Sequence, residues 1–167
     1  MSCIILIGMP GAGKSTLGVM LAKLLAKDFV DTDVLIQTRS GQTLQNIIDH
    51  QGYLTLRILE EQVLLDLQVK NTVIATGGSA VYSHTGMSHL KKMGVVVYLK
   101  VSFEKIQQRV TNFSTRGLAS APGQNLEGIF KERTSLYEDA ADVIIDANTG
   151  SPDDVLLRLQ SAIAEYF

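Results

Sequence analysis

Three observations predict an α/β fold with three layers, a central parallel sheet between two layers of helices. Strand-like and helix-like segments alternate along the 167-residue chain. The strand-like runs are apolar throughout, as strands covered on both faces must be. The turns after them are rich in glycine or acid, and ligands of open parallel sheets bind outside those strand ends. The length corresponds to a single domain, 1–167, that can bury a core without metals or disulfides.

The elements follow in order. "CIILIG" is a short, β-branched strand, and "KSTLGVMLAKLLAK" places Leu17, Met20, Leu21, Leu24 and Leu25 at helical spacing. "FVDTD" is a second strand ending in acids. Residues 34–69 read as helix, broken near Gly41 and Gly52, with apolar clusters around Tyr53 and Leu64 as core stripes. "NTVIATGGS" is a strand that runs into a glycine pair, and "GVVVYLKV" is another strand. Ser102 is the expected N-cap of "SFEKIQQRV". A helix near 126–137, the strand "DVIID" and a last helix opening at Ser151-Pro152 complete the chain. Residues 114–124, "STRGLASAPGQ", fit none of these elements. They hold one leucine and one charge, so little packing is expected of them.

Composition removes several classes. Net charge is −2 with acids and bases interspersed, so no basic stripe offers a nucleic acid partner. No apolar run is long enough to span a bilayer. The N-terminal apolar run lacks a basic lead-in and a cleavage site, so it reads as a strand rather than a leader, and a cytoplasmic location is expected. Cys3 is the only cysteine and reads as a small buried hydrophobe. His50, His84 and His89 show no ligand spacing and read as surface or capping residues.

Gly8-Met9-Pro10-Gly11-Ala12-Gly13-Lys14-Ser15 matches G-x-x-x-x-G-K-[ST] between a strand and a helix. The glycines let successive N–H groups turn inward, the helix adds its free amides and positive end, Lys14 adds a full charge, and Ser15 can ligate magnesium. A nucleoside triphosphate is therefore expected, as ATP with Mg²⁺. No N-K-x-D base-reading motif is present, which disfavours a GTPase, and the compact chain favours a small-molecule kinase.

Asp31-Thr32-Asp33 ends the second strand. The two acids suit a magnesium-bound water and a proton acceptor, or equally an N-cap and a first-turn acid. Arg57 lies at helical spacing from Glu60 and Glu61, and Arg133 adjoins Glu132, so ion pairing explains both arginines. Gly77-Gly78 after an apolar strand allows close approach of a ligand to the backbone.

Together "GMPGAGKST", "DTDVLI", "GYLTLRILEE", "ATGGSA", "STRGLA" and "ERTSLYEDAADVIID" resemble the shikimate kinase family over nearly the whole chain. The resemblance implies a nucleoside monophosphate kinase-like P-loop kinase fold with a mobile lid at about 112–124. It implies transfer of the γ-phosphate of ATP to the 3-hydroxyl of shikimate by a monomer. Lys14, Asp33 and Arg116 would be catalytic, with Arg116 carried by the lid. Gly8, Gly11, Ala12, Gly13, Lys14, Ser15 and Thr16 would hold the phosphates, with Arg109 over the adenine and Pro152 on its other side. Asp33, Arg57, Gly77, Gly78 and Arg133 would bind the acceptor, the two arginines clamping its carboxylate. Ser15 and Asp31 would hold the magnesium. Three positions depart from the family pattern: Ser79 for a third glycine, Gly117-Leu118-Ala119 after Arg116, and Tyr53 for a glutamate. All are on the acceptor side, which leaves open a kinase of another hydroxylated acid such as gluconate, or a non-catalytic nucleotide binder.

Overall fold

The computed structural model describes residues 3–111 and 117–167. Its centre is a sheet of five strands, β1 (Cys3–Ile7), β2 (Asp28–Asp31), β3 (Thr72–Ala75), β4 (Gly94–Lys100) and β5 (Val143–Asp146), in the order β2-β3-β1-β4-β5. Every pairing is parallel. β1 sits in the middle, and all five of its residues are buried, which is why its sequence is apolar without alternation. Chain direction across the sheet reverses beside β1, so the carboxyl ends of β1, β2 and β3 open on one crevice.

Helices α1 (Lys14–Leu25) and α8 (Pro152–Ile163) pack together, α1 against β2 and β3 and α8 against β5. α5 (His84–Met93) and α7 (Leu126–Ala140) lie against β4. α2 (Thr32–Ser40), α3 (Leu44–Gln51) and α4 (Tyr53–Asp66) form a separate group with its own apolar cluster of Ile36, Ile47, Leu56, Val63 and Ala119. α6 (Phe103–Arg109) follows β4, with Ser102 as its N-cap. Ser151 and Asp154 form a reciprocal capping box at α8, with Pro152 in its first turn. No helix among the described residues is long and apolar enough to cross a membrane.

The structure corrects three expectations. α5 is a helix that the pattern did not reveal, because only Gly86, Met87 and Leu90 of it are buried. Leu24, Leu54 and Leu65 are exposed, so those stripes are narrower than the leucine count suggests. His89 is a capping residue, as expected, since its Nε2 lies 2.9 Å from the carbonyl of Leu67, the C-cap of α4. Residues 117–119 do pack: Gly117 is buried, its N–H donates to Gln45 Oε1 at 2.8 Å, and Ala119 is 3 % exposed. The small side chains permit this contact, because a Cβ on Gly117 would lie 2.5 Å from Leu44 Cβ.

Gly94 opens β4 opposite Cys3 of β1. Its φ is extended, yet a Cβ there would come within 1.9 Å of the Cys3 carbonyl oxygen. Backbone in a central strand has no room to move aside. Gly94→Ala should destabilise the fold by about 1–3 kcal/mol, read as a melting point lowered by roughly 2–4 °C per kcal/mol.

Candidate active site

A cavity of about 350 Å³ opens at the crevice beside β1. The loop after β1 supplies part of its lining. Gly8, Gly11 and Gly13 adopt φ of 144°, 85° and 95°, a region that side chains disfavour, and this lets the loop curl. Gly13 caps α1 without any side-chain bond, so the first amides of the helix are left to a ligand. Lys14 is 8 % exposed, and its Nζ donates to the Gly8 and Met9 carbonyls at 2.7 and 2.9 Å. Burial lowers its pKa to about 8, against the opposing pull of Asp33 and Asp31. Gly11, Gly13, Lys14, Ser15 and Thr16 line the cavity. Gly8 and Ala12 do not: Ala12 belongs to the core, and its N–H donates to the Met9 carbonyl.

Asp31 is the N-cap of α2 and also meets Ser15. Its Oδ1 caps α2 by accepting from the Asp33 and Val34 amides, while its Oδ2 accepts from Ser15 Oγ at 2.6 Å. Asp33, in the first turn of α2, lines the cavity wall. Gly77 and Gly78 line it too, and their lack of side chains is required. A Cβ on Gly77 would lie 2.1 Å from Glu60 Oε1 and 2.7 Å from Asp33 Oδ1. The Gly77 N–H donates to Thr32 Oγ1, and the Gly78 carbonyl accepts from Tyr137.

Two arginines come from α4 and α7. Arg133 is 1 % exposed and donates to the Ala119 carbonyl at 2.8 Å. Arg57 donates to the same oxygen at 3.3 Å but is not itself among the lining residues. The ion pairs expected from sequence do not form. Among the described residues the ion pairs are Arg39–Asp66, Lys100–Glu138 and Lys131–Glu127. Arg109 lines the cavity and donates to the Gly11 carbonyl, whereas Pro152 does not line it. Arg116, with the rest of 112–116, lies outside the described residues.

Glu60 is the site residue that sequence reasoning missed. It is 3 % exposed, accepts a short hydrogen bond from Ser79 Oγ through Oε2, and leaves Oε1 buried without a partner. Burial first, then the Asp33 charge, raises its pKa to about 7, offset by Ser79, Arg133 and Lys14. Its spacing from Arg57 signalled only a surface pair. The serine at position 79, in place of a glycine, was the one available hint of a buried acceptor nearby.

The cavity therefore joins an anion-binding loop to a polar wall of Asp33, Glu60 and Arg133, the layout of a site that brings a phosphate donor to a small polar acceptor. The shikimate kinase family model matches residues 10–164. A shikimate kinase of Pasteurella multocida is 41 % identical over 152 residues, covering 89 % of this chain and 87 % of that protein. The solved structure of Acinetobacter baumannii shikimate kinase in complex with shikimate superposes with a TM-score of 0.89 at 34 % identity, covering 99 % of this chain and 94 % of that one. Candida albicans thymidylate kinase shares the fold alone, with a TM-score of 0.63 at 15 % identity over 98 % of this chain and 91 % of that one.

Glu60 generates a pH prediction. Its folded pKa lies above the ordinary 4.5, so between about pH 4.5 and 7 the folded chain holds a proton that the unfolded chain has lost. Its contribution to stability therefore falls as pH rises through that window, by on the order of 3 kcal/mol in total, and levels off above it. Glu60→Gln should remove that loss, so its melting point gains on that of the parent between pH 4.5 and 7.5. A difference independent of pH would contradict the assignment.

Proposed function

This chain belongs to the shikimate kinase family, and from that premise we propose that it transfers the γ-phosphate of ATP to the 3-hydroxyl of shikimate. One observation carries the reading: Lys14 and the glycine loop line the same cavity as Asp33 and Arg133. In the donor half, the loop amides and the start of α1 receive the phosphates. Lys14 exchanges the Gly8 and Met9 carbonyls for phosphate oxygens. Its lowered pKa of about 8 keeps it mostly protonated at neutral pH. Arg109 lies over the adenine, with Pro152 at the start of α8 on the other side.

In the acceptor half, Asp33 holds the reacting hydroxyl and accepts its proton as the oxygen attacks phosphorus. Arg57 and Arg133 exchange the Ala119 carbonyl for the acceptor carboxylate, and the backbone of Gly77 and Gly78 borders the ring. Ser15 and Asp31 suit magnesium: a hydroxyl and a carboxylate 2.6 Å apart are hard oxygen donors that leave the remaining positions to phosphate and water. When bound, the ion neutralises charge on the phosphate oxygens. Arg116 reaches the transferring group and stabilises the charge that builds there.

Coupled ADP release tests the reading directly. The chain should release ADP on addition of shikimate but not of gluconate or a nucleoside monophosphate, and Asp33→Asn should lower that rate at least a hundredfold. ADP release without dependence on shikimate would overturn it. Arg116→Ala should lower kcat by about 10³–10⁵ while the KM for ATP changes little. Near-normal turnover would remove Arg116 from the chemistry.

A further inference from the structure

Arg57 and Arg133 present a physical problem that the carboxylate clamp alone does not solve. Two guanidinium groups converge on one carbonyl oxygen, and neither is paired with a carboxylate among the described residues. The Nε of each is buried without a hydrogen-bond partner. Like charges brought together in a partly dry wall repel, so something must hold the two in place.

That something is aromatic. The Arg57 guanidinium carbon lies 3.8 Å from the centre of the Tyr82 ring, and that of Arg133 lies 5.3 Å from the centre of the same ring. Tyr53, which stands where the family pattern has a glutamate, adds a second ring 5.3 Å from Arg57. Tyr82 belongs to a 3₁₀ turn, Ala80–Tyr82, directly after Gly77-Gly78-Ser79. Its hydroxyl donates a short hydrogen bond to Glu132 Oε1. Glu132 Oε2 in turn accepts from Gln124 Nε2 at 3.1 Å. Glu132 thus fixes the ring instead of pairing with its neighbour Arg133.

We propose that Tyr82 is a positioning residue for the acceptor clamp, its ring face holding both Arg57 and Arg133 with their N–H edges free for an incoming carboxylate. The inference rests on the clamp reading given above. Its physical basis is geometric. A protein carboxylate would bind a guanidinium in its plane, cancel its charge and occupy the donors that the acceptor needs. A ring face attracts the cation from above or below the plane, leaves the full charge in place and occupies none of those donors; the Tyr82 hydroxyl, at the ring edge, also accepts from Arg133. The in-plane donors now spent on Ala119 remain exchangeable. Tyr53 adds a ring to Arg57 alone, and Tyr82 serves both arginines.

Tyr82→Leu removes the ring, and Tyr82→Phe keeps it while losing the bond to Glu132. The leucine variant should raise the KM for shikimate about tenfold, with the KM for ATP within about twofold of the parent. The phenylalanine variant should stay within about threefold for both substrates. Tyr82→Met provides the same test should the leucine variant not accumulate as folded protein. An unchanged KM for shikimate in the ringless variants overturns the proposal, as does an equal rise in both KM values, which is the mark of general loosening. A second readout needs no acceptor. Phenylglyoxal modification, followed by peptide mass spectrometry, should label Arg57 several-fold faster in Tyr82→Leu than in the parent or Tyr82→Phe, with Arg39 as the internal standard. Equal labelling overturns the proposal even if the parent turns over shikimate. Faster labelling in a parent that ignores shikimate overturns the functional reading and leaves the ring contact standing.

Discussion

Lys14, Glu60 and Arg133 are buried around one cavity, and the placing of these charges governs how the surrounding elements are arranged. An isolated charge of either sign is expensive away from water, and these three share the cost only because the sheet brings them to one crevice. Lys14 comes from the first position of α1, Glu60 from α4 and Arg133 from α7, with Asp33 at the start of α2. Glycine at position 77 is part of the same arrangement, since any side chain there would displace the carboxylates of Glu60 and Asp33. The parallel sheet, the missing side chains and the buried charges are therefore one solution to one electrostatic problem.

The donor half was legible in the sequence because its chemistry is local. Eight consecutive residues set the loop, its φ angles and the start of α1, and the neighbouring acids carry their own capping geometry. The order of strands and helices was legible for a similar reason, since period and capping are short-range signals. α5 escaped because its sequence, "HTGMSHLKKM", offers little apolar period, and its place is set by packing on β4 and α4.

The acceptor half was legible only through the family pattern. Arg57 and Glu60 sit three residues apart on a helix, which locally reads as an ion pair. The fold turns Glu60 inward to Ser79 and sends Arg57 to the Tyr82 ring, 19 and 25 positions further along the chain. No local rule carries that information. The departures from the pattern acquire physical content once the partners are seen: Ser79 serves Glu60, Tyr53 flanks Arg57, and Gly117 allows the backbone to touch Leu44.

The Ala119 carbonyl has one further consequence. A carbonyl oxygen has two lone pairs, and here each is committed to a different arginine. On the proposed reading, an incoming group with two equivalent oxygens replaces both bonds in one exchange and leaves neither guanidinium unserved. A group with one oxygen replaces one bond and strands the other donor. Discrimination between acceptors then follows from valence, the number of oxygens returned for each one displaced, before the shape of the ring is consulted at all.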